Sequence, residues 1–359
     1  MAFYSKKINL QLFGAGEAVH STEGYVNVND NSKSVAYTEG GGLSAEMKTF
    51  YDKTLIELAG PALVFDQFAQ KRPIPKNGGK TIEFRKFNAL PKALTPITEG
   101  VTPSASKLSV VPVTATVDQY GDYVELTDMI ELTSVDPIVV EATRQLADQA
   151  GRTIDTVVRN QIMGGTNVNY CPLVAADGTE TAITSRKELT ADCKLRVRDV
   201  FRAAAQLKAM NAPTIDGAYV AVIHPYVAFD LMQDAKGQWV DIQKYADPAS
   251  ILKGEIGTLG GVRFVQSTEA KIYTGDEGGK NGEAVFCTLF IGANAYGTTD
   301  IAGGGIEHIV KQKGYGNDPL NQRSSVGWKA TKVATRLVEE YMLRVESGSS
   351  FSQSVTEAN

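Results

Sequence analysis

The chain has 359 residues, of which 43% are hydrophobic and 21% charged, and its formal net charge is −5. That is a globular composition with room for two domains and a sizeable core. The acidic balance argues against a nucleic-acid binder that works by neutralising phosphates, but not against a protein that merely encloses nucleic acid. No apolar run approaches the roughly 20 residues that span a membrane. The opening MAFYSKKINLQLFG carries a basic pair, but Asn9 and Gln11 break an apolar stretch too short and polar for a secretory leader. Cys171, Cys193 and Cys287 are odd in number and lack a CxxC, so no disulfide framework is expected and the product reads as cytoplasmic.

Residues 1–43 read as an arm, rich in Gly, Ser and Asn, without periodicity, and ending in the flexible joint Gly40-Gly41-Gly42. Residues 44–79 read as a helical segment. Ser44 caps a helix to about Leu58, with Met47, Tyr51, Leu55 and Leu58 on one side; Gly60-Pro61 interrupts it, and Ala62 to Phe68 forms a short turn or helix.

Over 80–128 the period changes to alternation. Thr81 to Phe87, Val110 to Val117 and Tyr120 to Leu126 read as strands of an extended β-hairpin loop. The connection 88–109 carries Pro91, Pro96, Gly100 and Pro103, with Leu90, Leu94, Ile97 and Val101 scattered through it. Irregular connections of that length are usually functional, and a lone two-stranded hairpin is marginal in water. Those four apolar residues offer no periodic face to their own chain, so they are expected to be buried against a neighbouring subunit.

The longest periodic stretch is Asp136 to Met163. Asp136 suits the cap and Pro137 the first helical position. Val139, Ala142, Leu146, Ala150, Ile154 and Val157 form one narrow apolar stripe, the expected core face. Glu141, Arg144, Asp148, Arg152, Asp155 and Arg159 occupy the other face with alternating sign. Gly164-Gly165 stops a helix roughly 40 Å long, read as a spine within 129–190.

A second αβ unit fills 191–310. Lys194 to Asn211 is helical with Val197, Val200, Phe201, Ala204 and Leu207 inward; Ala218 to Ile223 is a buried strand; Tyr226 to Gln233 is a helix. Leu259 to Gln266 and Ala284 to Ile291 are strands, and Pro248 to Leu252 makes a helical turn. Within 311–346, Val326 to Val345 is extended and returns to the spine; 347–359 is a polar tail.

Nothing in the pattern argues for catalysis, a cofactor or a metal. Asp118, Asp122, Glu125 and Asp128 lack calcium-loop spacing and read as solvent-facing strand carboxylates. His20, His224 and His308 are far apart; His224, before a proline at a strand end, reads as a turn-stabilising imidazole. Cys287 lies in an apolar run, where a buried, inert thiol is expected. Gly40 to Gly42 and Gly303 to Gly305 are not followed by G-K-[ST] and are loops.

The segment Ile97-Thr98-Glu99-Gly100-Val101-Thr102-Pro103 followed by Val113 to Tyr123 resembles the hairpin region of tailed-phage and prophage major capsid proteins. Ala218 to Pro225, Gly254-Glu255-Ile256-Gly257 and Gly260 to Phe264 are similar to the axial lobe of that family, and Asn9 to Phe13 to its opening. The resemblance covers Ser44 to Val345. It implies an α+β tailed-phage capsid fold, with an N-terminal arm, an extended loop, a peripheral lobe holding the spine helix and an axial αβ lobe. It further implies pentamers and hexamers of a virion shell around double-stranded DNA, assembled in the host bacterial cytoplasm. Scaffolding would come from a separate protein, alongside portal and decoration proteins, and contact with DNA would be weak and non-specific. No lysine–asparagine crosslink pair is matched. Three alternatives are an encapsulin-like bacterial compartment, which would differ in its contents, an αβ enzyme, which would need a clustered polar site, and a tail or adhesion protein, which would show repeats or a trimeric coiled-coil pattern, neither of which the sequence carries.

Overall fold

In a computed structural model the chain is described at residues 34–36 and 63–359, apart from 88–89, 91, 97–98, 101, 103–104, 134–137, 176, 236–239, 242–251, 253, 302–304 and 317. The expected helix Ser44 to Leu58, the Gly40 to Gly42 joint, Asp136 and Pro137, Ile97 and Val101, and nearly all of the Pro248 to Leu252 turn lie outside the described residues.

Strands β1 (Ser34–Ala36), β2 (Gln70–Lys71), β3 (Thr81–Phe87), β4 (Val110–Thr116) and β5 (Asp118–Thr127) precede helices α1 (Asp128–Thr133) and α2 (Ile138–Met163). Short strands β6 (Val168–Tyr170), β7 (Leu173–Val174) and β8 (Glu180–Thr181) lead to α3 (Val197–Ala209), β9 (Tyr219–Ile223) and α4 (Pro225–Ala235). Then come β10 (Val240–Asp241), β11 (Glu255–Leu259), β12 (Val262–Gln266), β13 (Ile272–Tyr273), β14 (Val285–Ile291) and β15 (Tyr296–Thr299). Last are β16 (Glu307–Lys311), β17 (Arg323–Arg336) and β18 (Met342–Ser347). The chain thus mixes helix and sheet.

It divides into two compact units, one of residues 1–59, 120–150 and 306–330, the other of 60–119, 151–305 and 331–359. The cut at 119/120 falls inside the 80–128 stretch.

In the first unit β5 lies between β17 and β1, with β1 parallel to it from Ser34 opposite Glu125. Strand β16 runs antiparallel to β17, from Glu307 opposite Lys329 to Lys311 opposite Ser325. Strands β5 and β17 meet through two glycines. A Cβ on Gly121 would stand 2.6 Å from the Trp328 carbonyl oxygen, and one on Gly327 would stand 2.7 Å from the Tyr123 Cβ. The α2 residues in this unit bury Ala142, Leu146, Ala147 and Ala150. Gln149 joins the same packing through both ends of its amide, donating to Asp122 at 2.8 Å and accepting from the Trp328 indole at 3.2 Å.

The second unit is built on a sheet of order β10-β11-β12-β9-β14-β18-β6, with β13 on β14. Strands β9 and β14 are buried along their whole length, so they read as unbroken apolar runs rather than alternating ones. Their alternate residues serve two cores. Ala221, Ile223, Phe286 and Phe290 face α3 and α4, while Val220, Val222, Cys287, Leu289 and Ile291 pack with Val158 and Ile162 of α2 and with Val64, Phe65 and Phe68.

Several readings are corrected. Leu259 to Gln266 is not one strand: Gly260 and Gly261, at φ 63° and 80°, make the two-residue turn between β11 and β12, a geometry that demands positive φ at both positions. Phe201 is half exposed beside Gly260, and Ala203 takes the interior place on α3. The residues after Ser347 pack into the fold despite their polarity. Ser349 and Ser350 donate their hydroxyls to buried Asp230, Ser350 N–H adds a third bond at 2.9 Å, and Lys194 pairs with the same carboxylate at 3.3 Å.

On α2, Ala142, Leu146, Ala150 and Ile154 are buried and Val139 and Val157 partly so. Glu141, Arg144, Asp148 and Arg152 are exposed, but Asp155 and Arg159 are fully buried, against expectation. From Ile154 onward the helix buries a broader arc, because Val158, Ile162 and Met163 widen the apolar stripe until it includes the 155/159 row.

Candidate assembly surface

The β3–β4 ribbon pairs from Thr81 opposite Thr116 to Phe87 opposite Val110. One end is anchored. Phe84 is buried against β15, where a Cβ on Gly297 would stand 2.9 Å from its ring, and Ala115 and Val117 are buried beside it. The other end is not covered. Val110 and Val111 are exposed, and in the connection beyond them Leu90 is 51%, Leu94 82% and Leu108 69% exposed. Isolated surface leucines need no explanation, but five large apolar side chains exposed at one end of the ribbon and along its connection are more than scattered exposure accounts for. The sequence reading singles out neither Leu108 in the connection nor Val110 and Val111, which read only as part of a strand.

The ribbon rises from a unit held by buried charge. Asp66 and Asp155 are neighbouring buried carboxylates in opposite states. Burial pushes Asp66 up, but Lys332 at 2.7 Å and Lys71 at 2.6 Å outweigh it and hold its carboxyl below the usual range. Among the described residues no lysine or arginine forms an ion pair with Asp155. Burial raises it to about 7, against the opposing pull of the Phe65 N–H, which donates at 2.8 Å. The Tyr296 hydroxyl donates to the Phe65 carbonyl, so Phe65 is held through both its backbone N–H and its carbonyl. Arg159 donates to the Glu269 carbonyl at 2.7 Å and to Asn160. Farther along the sheet, Glu346 receives Arg186 through two bonds of 2.6 and 2.7 Å, and Arg263 is bidentate on Glu255. These buried charges are met by partners within the fold, and Glu346 takes Arg344 as well, at 2.9 Å.

Chemistry has little to work with here. His224 is buried between the Tyr226 and Phe286 rings and accepts the Tyr226 N–H; burial pushes it down to about 4, so it is a neutral turn-holder at pH 7. Cys171, Cys193 and Cys287 are buried free thiols, and desolvation drives Cys171 and Cys287 far above the ordinary thiol value. Of the expected strand carboxylates, Glu125 pairs with Arg323 at 3.1 Å and Asp122 with Gln149. Among the described residues no group of His, Cys, Asp and Glu is arranged to hold a metal ion, and no helix is long and apolar enough to cross a membrane.

The fold is shared with subunits of phage capsids. It is similar to the capsid of Ralstonia phage GP4, at a TM-score of 0.62 and 16% identity over 80% of this chain and 88% of that one. The capsid of cyanophage P-SCSP1u follows at 0.57 and 14%, over 80% and 89%. The capsid of cyanophage Pam1 gives 0.56 and 14%, over 79% and 89%. No curated protein matches the sequence. The phage capsid protein family matches residues 110–343, well over half of the chain, and the chain belongs to that family. It is a structural shell protein of a bacteriophage.

Proposed function

We propose that this protein is the major repeating subunit of a tailed-phage head, assembling as pentamers and hexamers into an icosahedral shell around double-stranded DNA. In that reading 80–128 is an extended arm, 129–190 with 311–346 a peripheral lobe built on the spine helix, and 191–310 an axial lobe. Leu90, Leu94, Ile97 and Val101 are the arm's intersubunit contacts. Scaffolding, portal and decoration proteins are separate chains, assembly takes place in the host cytoplasm, and contact with packaged DNA is weak and independent of sequence.

The observation that carries it is the exposed apolar ribbon on a chain of the phage capsid family. Heterologous contacts repeated around a ring would cover that ribbon on every copy. Each fully buried side chain contributes about 1.5–3 kcal/mol, less the cost of ordering the loop. The test replaces Pro91 to Ser106 with a short Gly-Asn turn and follows both thermal unfolding and particle formation by electron microscopy. The expected product melts like the parent and forms no shells. Normal shells would reject the arm, and an unfolded product would place the span in the subunit's own core.

A further inference from the structure

A cavity of about 140 Å³ opens beside the middle of the β3–β4 ribbon, roughly ten times the space that admits one water. Buried Phe84 lies against it with Val113, Leu337 and Val338, and three cations, Arg72, Arg85 and Lys86, share the rest of the wall with the amides of Gln70 and Asn294. No carboxylate lines it. Arg85 and Lys86 have exposed partners, Glu83 at 2.9 Å and Glu340 at 3.4 Å, and such pairs hold weakly. The Arg72 backbone is fixed by its N–H to Thr298 at 3.2 Å, yet its guanidinium has no hydrogen bond or ion pair among the described residues. An apolar wall ringed by a fork of donors fits one carboxylate carried on an apolar segment.

The 88–109 connection is such a segment. Its charges are Lys92, Glu99 and Lys107, so Glu99 is its single acid. Glu99 and Gly100 form the turn at its midpoint, with Gly100 at φ 78°. Glu99 is exposed and makes no ion pair among the described residues, and it does not line the cavity of its own chain. We infer that the cavity receives Glu99 from a second copy, with the flanking leucine Leu94 laid toward Leu337 and Val338. The inference rests on the shell reading and names the surface on which the arm lands.

The full chain is tested with Glu99→Arg, Arg72→Glu and the double exchange, measuring the concentration needed for particles by sedimentation and electron microscopy. Both side chains are exposed, so melting temperatures should stay at the parent value; Glu99→Gln and Arg72→Gln serve as milder variants should a reversal misfold. Each single reversal is expected to raise the assembly concentration about tenfold or more, and the double exchange to return it close to the parent value. Single reversals that assemble normally overturn the pairing while leaving the shell reading intact. Folded double variants that stay defective also overturn it, and point to a phosphate or another protein's acid as the occupant. A parent chain that forms no particle under any condition removes the shell reading and the pairing together.

Discussion

Asp155 and Asp66 show how far environment separates two identical side chains. Asp66 keeps its charge because two lysines reach it, whereas Asp155 has only the backbone N–H groups of Phe65 and Val64 to offset its burial among the described residues. Its carboxyl titrates near 7 in the folded chain and near 3.8 when free of the fold. Between those values the native state holds a proton that the unfolded state has lost, so this group's contribution falls as pH rises from about 4 to 7 and is least favourable above 7. The difference corresponds to a cost on the order of 4 kcal/mol at alkaline pH. Asp155→Asn, which keeps the acceptor and removes the charge, should therefore raise the melting temperature at pH 8 and leave it unchanged or lower at pH 4.5. Equal effects at both pH values would show that Asp155 does not titrate in this range. A sequence reader sees Asp155 and Arg159 as part of a regular charged row, since the 3.6-residue period does not show that the helix enters a second core at Ile154. Their partners are distant in sequence: Phe65 meets Asp155 from ninety positions away and Glu269 meets Arg159 from 110.

At the level of elements, legibility followed physical simplicity. The strands Thr81–Phe87 and Val285–Ile291 and the stop of α2 before Gly164 were readable because alternation, an unbroken apolar run and a glycine pair are local signals. The packing of 347–359 was not, because hydroxyls that satisfy a buried carboxylate look the same in sequence as hydroxyls in water. The glycines where β5 meets β17 were equally silent. Neither Gly121 nor Gly327 has positive φ, so close approach alone demands them. Gly121→Ala and Gly327→Ala should each destabilise the chain by about 1–3 kcal/mol, the usual cost of forcing atoms into a closed contact. Denaturant midpoints would show it, and unchanged midpoints for both would mean that the strands can separate freely there.

For the whole molecule, family membership was legible because the hairpin and αβ segments carry recognisable wording, and the family match over 110–343 takes in most of them. The candidate assembly surface was half legible. Leu90 and Leu94 stood out in an irregular connection, while the cationic cavity joins residues from five separate stretches that no local pattern links. Stability at this scale owes nothing to disulfides. All three thiols are buried and free, so native protein should resist alkylation, and adding a reductant should leave particles intact. Dissociation by reductant alone would contradict that.

Helix α2, about 39 Å long by its 26 residues, has one further consequence. The boundary between the two compact units falls at Ala150/Gly151, in the middle of this helix, and again at Ala330/Thr331, in the middle of β17. At those crossings the chain passes from one unit to the other inside hydrogen-bonded structure rather than along a linker. Proteolytic nicking concentrates at exposed loop tips and locally opened segments, and a helix interior offers neither. Limited digestion should therefore trim loops without ever releasing either unit as a stable fragment, and a persistent half-sized product cut near 150 would show that the helix has a joint.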